Sequence, residues 1–190
     1  DSHCDTPMLF SKGADFLTDN GIALYDINKM DDADITATAM VCYLPQPKDG
    51  KSFRECVDFD IDTPAEYADL IFDRITDICQ KSDRVSIAKD TDELATAHKQ
   101  QQHAIMLGIE NGLALCGDIR MLQHFYDRGV RYITLCHNGD NDICDSARGT
   151  QTHGGLSAFG HQVIEEMNRL GMLIGLSHAG ERTFFQAVAA

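Results

Sequence analysis

The chain has 190 residues, with 16 Lys and Arg against 30 Asp and Glu, so its formal net charge is −14 with histidines neutral. An acidic surface of this kind repels phosphate backbones and argues against a nucleic-acid partner. Hydrophobic residues at 43% suffice for a buried core, and no apolar run approaches the roughly 18 residues that a membrane span needs. The chain opens on Asp1 without a basic, apolar, small-residue signal pattern, so any targeting segment is expected upstream. Seven scattered cysteines, Cys4, Cys42, Cys56, Cys79, Cys116, Cys136 and Cys144, form no Cys-x-x-Cys pair. That argues against a zinc ribbon or a thioredoxin-type motif, and each cysteine is expected to be a small buried hydrophobe. Such usage favours a reducing compartment and leaves room for a single disulfide.

In chain order, His3 to Thr6 reads as the end of a strand, and Ile35 to Leu44, rich in Ile, Thr, Val and Tyr and closed by Pro45, as the next strand. Thr63-Pro64-Ala65-Glu66 supplies a capping box with proline at the first helical position, and Ala68, Ile71, Phe72, Ile75, Ile78 and Cys79 fall on one helical face. A short strand Val85-Ser86-Ile87 precedes a helix capped at Asp90 and running to about Gln101. The strand Ala104 to Ile109 leads directly into Glu110. A helix with Ile119, Leu122 and Phe125 on one side stops at Gly129, and the strand Val130 to Cys136 ends at His137. A loop from Asn138 to Gly155 follows, long enough to be a functional segment. Ser157 caps a helix carrying Val163, Ile164, Met167 and Leu170 that stops at Gly171; Met172 to Ser177 is a strand ending at His178, and a last helix begins near Glu181.

Strands alternating with amphipathic helices predict right-handed βαβ units and a parallel sheet. No G-x-G-x-x-G or phosphate-loop fingerprint follows a strand, which removes the main support for a nucleotide-binding open sheet. The expected fold is therefore an α/β barrel of the (β/α)8 TIM type. Such a barrel takes about 250 residues, so the chain is expected to supply its N-terminal part, five or six βα units, with residues 1–190 forming one truncated domain.

Four strands end in residues that bind metals: His3 with Asp5, then Glu110, His137 and His178. In a parallel barrel all strand C-termini open on one face, so these residues are expected to converge. His3 and Asp5 are two apart on an extended chain and point the same way, while Cys4 points to the other side. Imidazole nitrogen and carboxylate oxygen suit zinc or a similar divalent ion, and a carboxylate as close to a core as Glu110 needs a cation or other partners. His98, His103, His124, His153 and His161 lack this placement and are expected to be ordinary polar residues. Asp140, Asp142 and Asp145 sit in the long loop, where aspartate commonly shapes turns.

The runs Asp1-Ser2-His3-Cys4-Asp5-Thr6-Pro7, Gly108-Ile109-Glu110-Asn111-Gly112, Arg131 to Asn138 and Gly154 to Gly160 resemble the membrane (renal) dipeptidase family of zinc peptidases. Glu166 to Met172, leading to Leu176-Ser177-His178, is similar too. The resemblance implies a binuclear site holding two divalent ions, zinc by expectation. His3 and Asp5 would bind one metal, Glu110 would bridge both and His178 would bind the second. His137 would stabilise the oxyanion formed when a metal-bridging water attacks the peptide bond of a dipeptide substrate. It leaves a homodimer open as the assembly. The family's second histidine for the second metal, its substrate-binding arginine and its late aspartate would lie beyond Ala190. Where the family commonly carries Asp three residues before the histidine matched by His178, this chain has Gly175. Two other readings are an amidohydrolase-type barrel metallohydrolase, disfavoured by His3-Cys4-Asp5 in place of His-x-His, and a non-catalytic barrel relative acting as a binding module.

Overall fold

The computed structural model describes residues 1–48 and 50–190. They form two compact units, one of residues 1–43 and 69–108, the other of residues 44–68 and 109–190. Among the described residues no helix is long and apolar enough to cross a membrane.

In the first unit a 3-10 turn, Thr6–Lys12, is followed by helix α1, Ile27–Asp32, and strand β1, Ala37–Tyr43. The interior of β1, Thr38 to Cys42, is buried throughout, the pattern of a parallel strand covered on both faces. Helix α2, Pro64–Lys81, runs through both units and buries Ile71, Phe72 and Ile75 in the first. Strand β2, Val85–Ile87, helix α3, Thr91–Lys99, and strand β3, His103–Glu110, complete it. β2 pairs in parallel with β3, Val85 opposite His103 and Ile87 opposite Ile105. On the other edge of β3, the Ala104 amide donates to Thr36 O at 2.9 Å. Small residues let α3 sit close to the sheet, since Ala88, Ala97 and Ala104 form one buried cluster.

The second unit holds 3-10 turns at Phe53–Cys56 and Gly112–Leu115, helix α4, Arg120–Asp127, and strand β4, Val130–Thr134. Helix α5, Ala158–Leu170, strand β5, Leu173–Gly175, and helix α6, Glu181–Ala189, follow. β4 and β5 pair in parallel with Ile133 opposite Ile174 and Thr134 opposite Gly175. Beyond β3, the Gly112 amide donates to Leu135 O at 3.2 Å and the Leu135 amide to Gly175 O at 3.1 Å, so three strand ends lie side by side. Leu122 and Phe125 on α4 and Val163, Ile164 and Met167 on α5 bury the apolar faces expected from their spacing.

The helix caps follow the sequence closely. Thr63 and Glu66 bond reciprocally, with the Glu66 amide on Thr63 Oγ1 at 3.2 Å and the Thr63 amide on Glu66 Oε2 at 3.1 Å. Asp90 accepts from the Asp92 and Glu93 amides, and Ser157 Oγ from the Gly160 amide at 2.9 Å. The differences are equally physical. The expected strand at His3 to Thr6 is reduced to one parallel bridge, Cys4 opposite Met40, because Thr6 and Pro7 open a 3-10 turn. Strand β5 stops at Gly175 instead of Ser177, the chain turning as Ala179 donates to Leu176 O at 3.2 Å. Cys4, Cys42, Cys136 and Cys144 are buried, and burial pushes the Cys79 thiol up to about 11. Cys116 is exposed, contrary to expectation, because it closes a 3-10 turn at φ 49°.

Candidate metal centre

Within the second unit, three strand ends bring Glu110, His137 and His178 together. Glu110 is the last residue of β3 and only 6% exposed. His178 Nε2 lies 3.2 Å from Glu110 Oε1, and His137 Nε2 lies 3.9 Å from the same oxygen. The two imidazole centroids are 4.2 Å apart, tilted by 51°. One ligand atom from each of the three residues falls within 4.8 Å of the others. The His178 nitrogen beside the buried Glu110 oxygen is a donor pair that suits zinc or a similar divalent ion, and His137 lies close enough to act on a group held there. Such an ion would also compensate the cost of burying the Glu110 charge.

Within the first unit, His3 and Asp5 approach each other, His3 Nε2 to Asp5 Oδ1 being 3.3 Å, and their side chains are 33% and 45% exposed. Cys4 between them is buried on the opposite side, where its thiol donates to Thr6 Oγ1 at 3.4 Å. His3 and Asp5 thus share the side away from Cys4, while Asp5, at φ −93° and ψ 14°, has left the extended conformation.

The backbone around Glu110 is strained and held. Asn111 adopts φ 80°, a conformation unusual for a residue with a Cβ. Its fully buried amide group donates to Leu44 O at 3.1 Å and Gln46 Oε1 at 3.2 Å, and accepts from Asn141 Nδ2 at 3.0 Å. Asn141 also donates to Leu135 O at 2.8 Å and accepts from the Ile143 and Cys144 amides, so two asparagines tie the residue after Glu110 to the loop after His137. Neither asparagine stood out in the sequence, where the only signal was Asn111 wedged between a strand and Gly112.

The loop aspartates shape turns, as expected. Burial pushes the Asp140 carboxyl up, but hydrogen bonds from the Ser146 amide, the Thr152 amide and hydroxyl and the Thr150 amide outweigh it and hold it down at about 2. Asp145 accepts from the His153 and Gly155 amides, each at 2.8 Å. His153 bonds Asn141 O at 2.8 Å, and His103 lies 2.7 Å from both Ile35 O and Asp31 Oδ1, structural roles consistent with ordinary polar residues. The glycine at 175 also has a reason. A Cβ there would lie 2.5 Å from the Tyr132 ring and 2.7 Å from Thr134 Oγ1, whose oxygen is 2.6 Å from Tyr132 OH. With Tyr132 in place, an aspartate at 175 has no room.

The whole of residues 1–190 matches the membrane dipeptidase family, peptidase family M19. An uncharacterized dipeptidase of Schizosaccharomyces pombe is 29% identical over 204 residues, which cover 99% of this chain and 48% of that protein. The probable dipeptidase PvdM from Pseudomonas aeruginosa superposes with a TM-score of 0.82 at 22% identity, over 100% of this chain and 48% of that one. A metallo peptidase from Rhodobacter sphaeroides, liganded with a phosphinate mimic of the dipeptide L-Ala-D-Ala, gives a TM-score of 0.81 at 17% identity, over 98% and 60% of the two chains. The chain thus spans about half the length of the curated relative it matches end to end. At these identities the structural likeness establishes the fold, the α/β arrangement with a parallel sheet expected of a (β/α)8 barrel. The match along every residue, added to the strand-end carboxylate and imidazoles, establishes that the chain belongs to the membrane dipeptidase family.

Proposed function

We propose that the protein hydrolyses the peptide bond of dipeptides, and that Glu110, His178, His3 and Asp5 are the residues that would hold the divalent ions this chemistry uses. The observation that carries this reading is the convergence of a buried carboxylate with two imidazoles at the ends of β3, β4 and β5. Zinc is the ion that best suits a mixed nitrogen and carboxylate set. When bound, two such ions supply Lewis acidity toward a carbonyl and lower the pKa of water.

The chain's own residues divide the remaining work. Glu110 would bring a buried negative charge to a cation held there. His178 acts through an Nε2 lone pair, which requires its proton on Nδ1. His137 does the opposite, holding a proton on Nε2 and donating it in a hydrogen bond to the carbonyl oxygen as negative charge develops there. In these roles the two imidazoles, 4.2 Å apart, would be opposite tautomers. The dipeptide specificity rests on the family resemblance and on the relative liganded with a dipeptide mimic.

The test is hydrolysis of a panel of small dipeptides by the complete protein, measured as free amino acids released and detected with ninhydrin. Glu110→Gln should abolish turnover while preserving the far-UV spectrum. His137→Ala should lower kcat by about 10²–10³, the scale of losing one oxyanion donor. Turnover near wild type in Glu110→Gln would contradict the assignment of Glu110 as a metal ligand, and a change in His137→Ala confined to KM would make His137 a binding residue.

A further inference from the structure

Ser146 lies in the long loop, almost fully buried, and its side chain faces the backbone of both site histidines. Its Oγ is 2.5 Å from His137 O and 3.2 Å from His178 O. The Arg148 amide donates to the same Oγ at 3.2 Å, which uses a lone pair of the hydroxyl and directs its proton toward the carbonyls. The residue is itself anchored: its amide donates to Asp140 Oδ1 at 2.8 Å, and Asp140 is fixed by Thr150 and Thr152.

His178 needs such support. It adopts φ 66°, a left-handed conformation that a residue with a Cβ keeps only when its surroundings overdetermine it. The His178 carbonyl receives the Ala147 amide at 2.8 Å as well as the Ser146 hydroxyl, and Ser146 pairs with Ala179 in an antiparallel bridge. Residues 146 and 147 therefore grip the turn that carries one imidazole, while the same hydroxyl grips the chain that carries the other.

From this we infer that Ser146 is a positioning residue that sets the spacing of the His137 and His178 imidazoles. The inference rests on the reading of these two rings as working groups, but its geometry does not require a bound metal. The Ser146 hydroxyl makes its bonds to His137 O and His178 O with backbone atoms. It acts on the backbone carbonyls, and the ring separation of 4.2 Å is its consequence. Groups behind metal ligands typically matter by about 10–100-fold in metal affinity.

The experiment compares the complete protein with Ser146→Ala and Ser146→Thr in two measurements. The first is the nuclear Overhauser effect between the two imidazole rings in histidine-labelled, metal-free protein. The second is the affinity for Co(II), followed by its visible absorption. Ser146→Ala should lose the ring-to-ring effect and bind Co(II) about 10–100-fold more weakly, and Ser146→Thr, which keeps the hydroxyl, should restore both. An unchanged ring-to-ring effect in Ser146→Ala, with Co(II) affinity within about twofold of wild type, would overturn the inference. Equal loss in Ser146→Thr would assign the effect to packing and overturn it too. Should Ser146→Ala fail to fold, Ser146→Cys, a weaker donor of similar size, replaces it, with intermediate values expected and wild-type values contradicting the role. A wild-type protein that binds no Co(II), yet loses the ring contact in Ser146→Ala, would refute the metal-centre reading while supporting the positioning role.

Discussion

Two irregular segments of the molecule use the same chemistry to different ends. Between the first 3-10 turn and α1, residues 14–26 are shaped by Asp15, Asp19 and Asn20, which accept from amides only two residues on, at Leu17, Gly21 and Ile22. These bonds are exposed, and Leu24 beside them is 94% exposed. After β4, the loop 138–155 uses Asp140, which accepts from Thr152, and Asn141, which donates to Leu135 O and, 30 residues back, to Asn111. Thr183 on α6 also donates to Asp145 O at 2.8 Å. The local bonds of the first segment decide the path of the turn, while the segment is anchored elsewhere, by buried Phe16 and by Thr6 Oγ1 donating to Tyr25 O at 3.1 Å. The buried bond from Asn141 to Asn111 fixes the second segment to a distant part of the chain, which is what the loop that follows His137 and grips His178 requires.

Substituting the asparagines is the severest way to break that contrast. Asn141→Ala leaves the Ile143 and Cys144 amides and buried groups of Asn111 and Leu135 without this partner, and should cost about 3–4 kcal/mol in urea unfolding. A cost below about 1 kcal/mol would mean that water replaces these bonds and that the loop is not held as described.

A second substitution tests the closeness of the loop to α5. A Cβ at Gly160 would lie 2.1 Å from Ile143 O, so Gly160→Ala must push the loop away, at about 1–3 kcal/mol and with a matching fall in dipeptide turnover. Gly21→Ala is the comparison: nothing lies within 4 Å of its Cβ, and only the left-handed φ of 74° opposes it, at about 1 kcal/mol with turnover unchanged.

Acid sharpens the contrast further. The Asp140 carboxyl is held down at about 2, against about 3.9 in an unfolded chain. Its support for the loop is therefore complete above pH about 4 and is lost as the pH falls through about 2. Protection of the Ser146, Thr150 and Thr152 amides, corrected for intrinsic exchange, should drop across that window, whereas Asp140→Asn should show the lowered protection already at neutral pH. Full protection in Asp140→Asn would show that the charge is not what orders these amides. The smallest effect belongs to the first segment, where Asn20→Ala should change stability by no more than about 0.5 kcal/mol and leave turnover untouched.

The same division between local and distant partners explains what could be read from the sequence. The caps at Thr63 and Glu66, Asp90 and Ser157 were legible because donor and acceptor lie within three residues. The parallel α/β order followed from apolar periodicity. Glu110, His137 and His178 were legible as a set because each follows its strand by no more than a few residues. Helix α1 escaped notice, being only Ile27–Asp32 with Ile27 and Met30 buried, although Asp26 caps it by accepting from the Asn28 and Lys29 amides. Ser146, Asn111 and Asn141 were not legible, since their partners are set by the fold and not by neighbouring residues. The left-handed turn at His178 was hidden for the same reason: its carbonyl is held by Ser146 and Ala147, far back in the chain.

Whether Glu110 holds divalent ions is tested most directly by the divalent metal content per chain of the complete protein, by mass spectrometry of the purified material and of Glu110→Gln. About two ions per wild-type chain are expected, zinc foremost, with their loss in the folded variant. A natively folded wild-type protein that takes up no divalent ion, even when supplied with zinc, would contradict the metal centre.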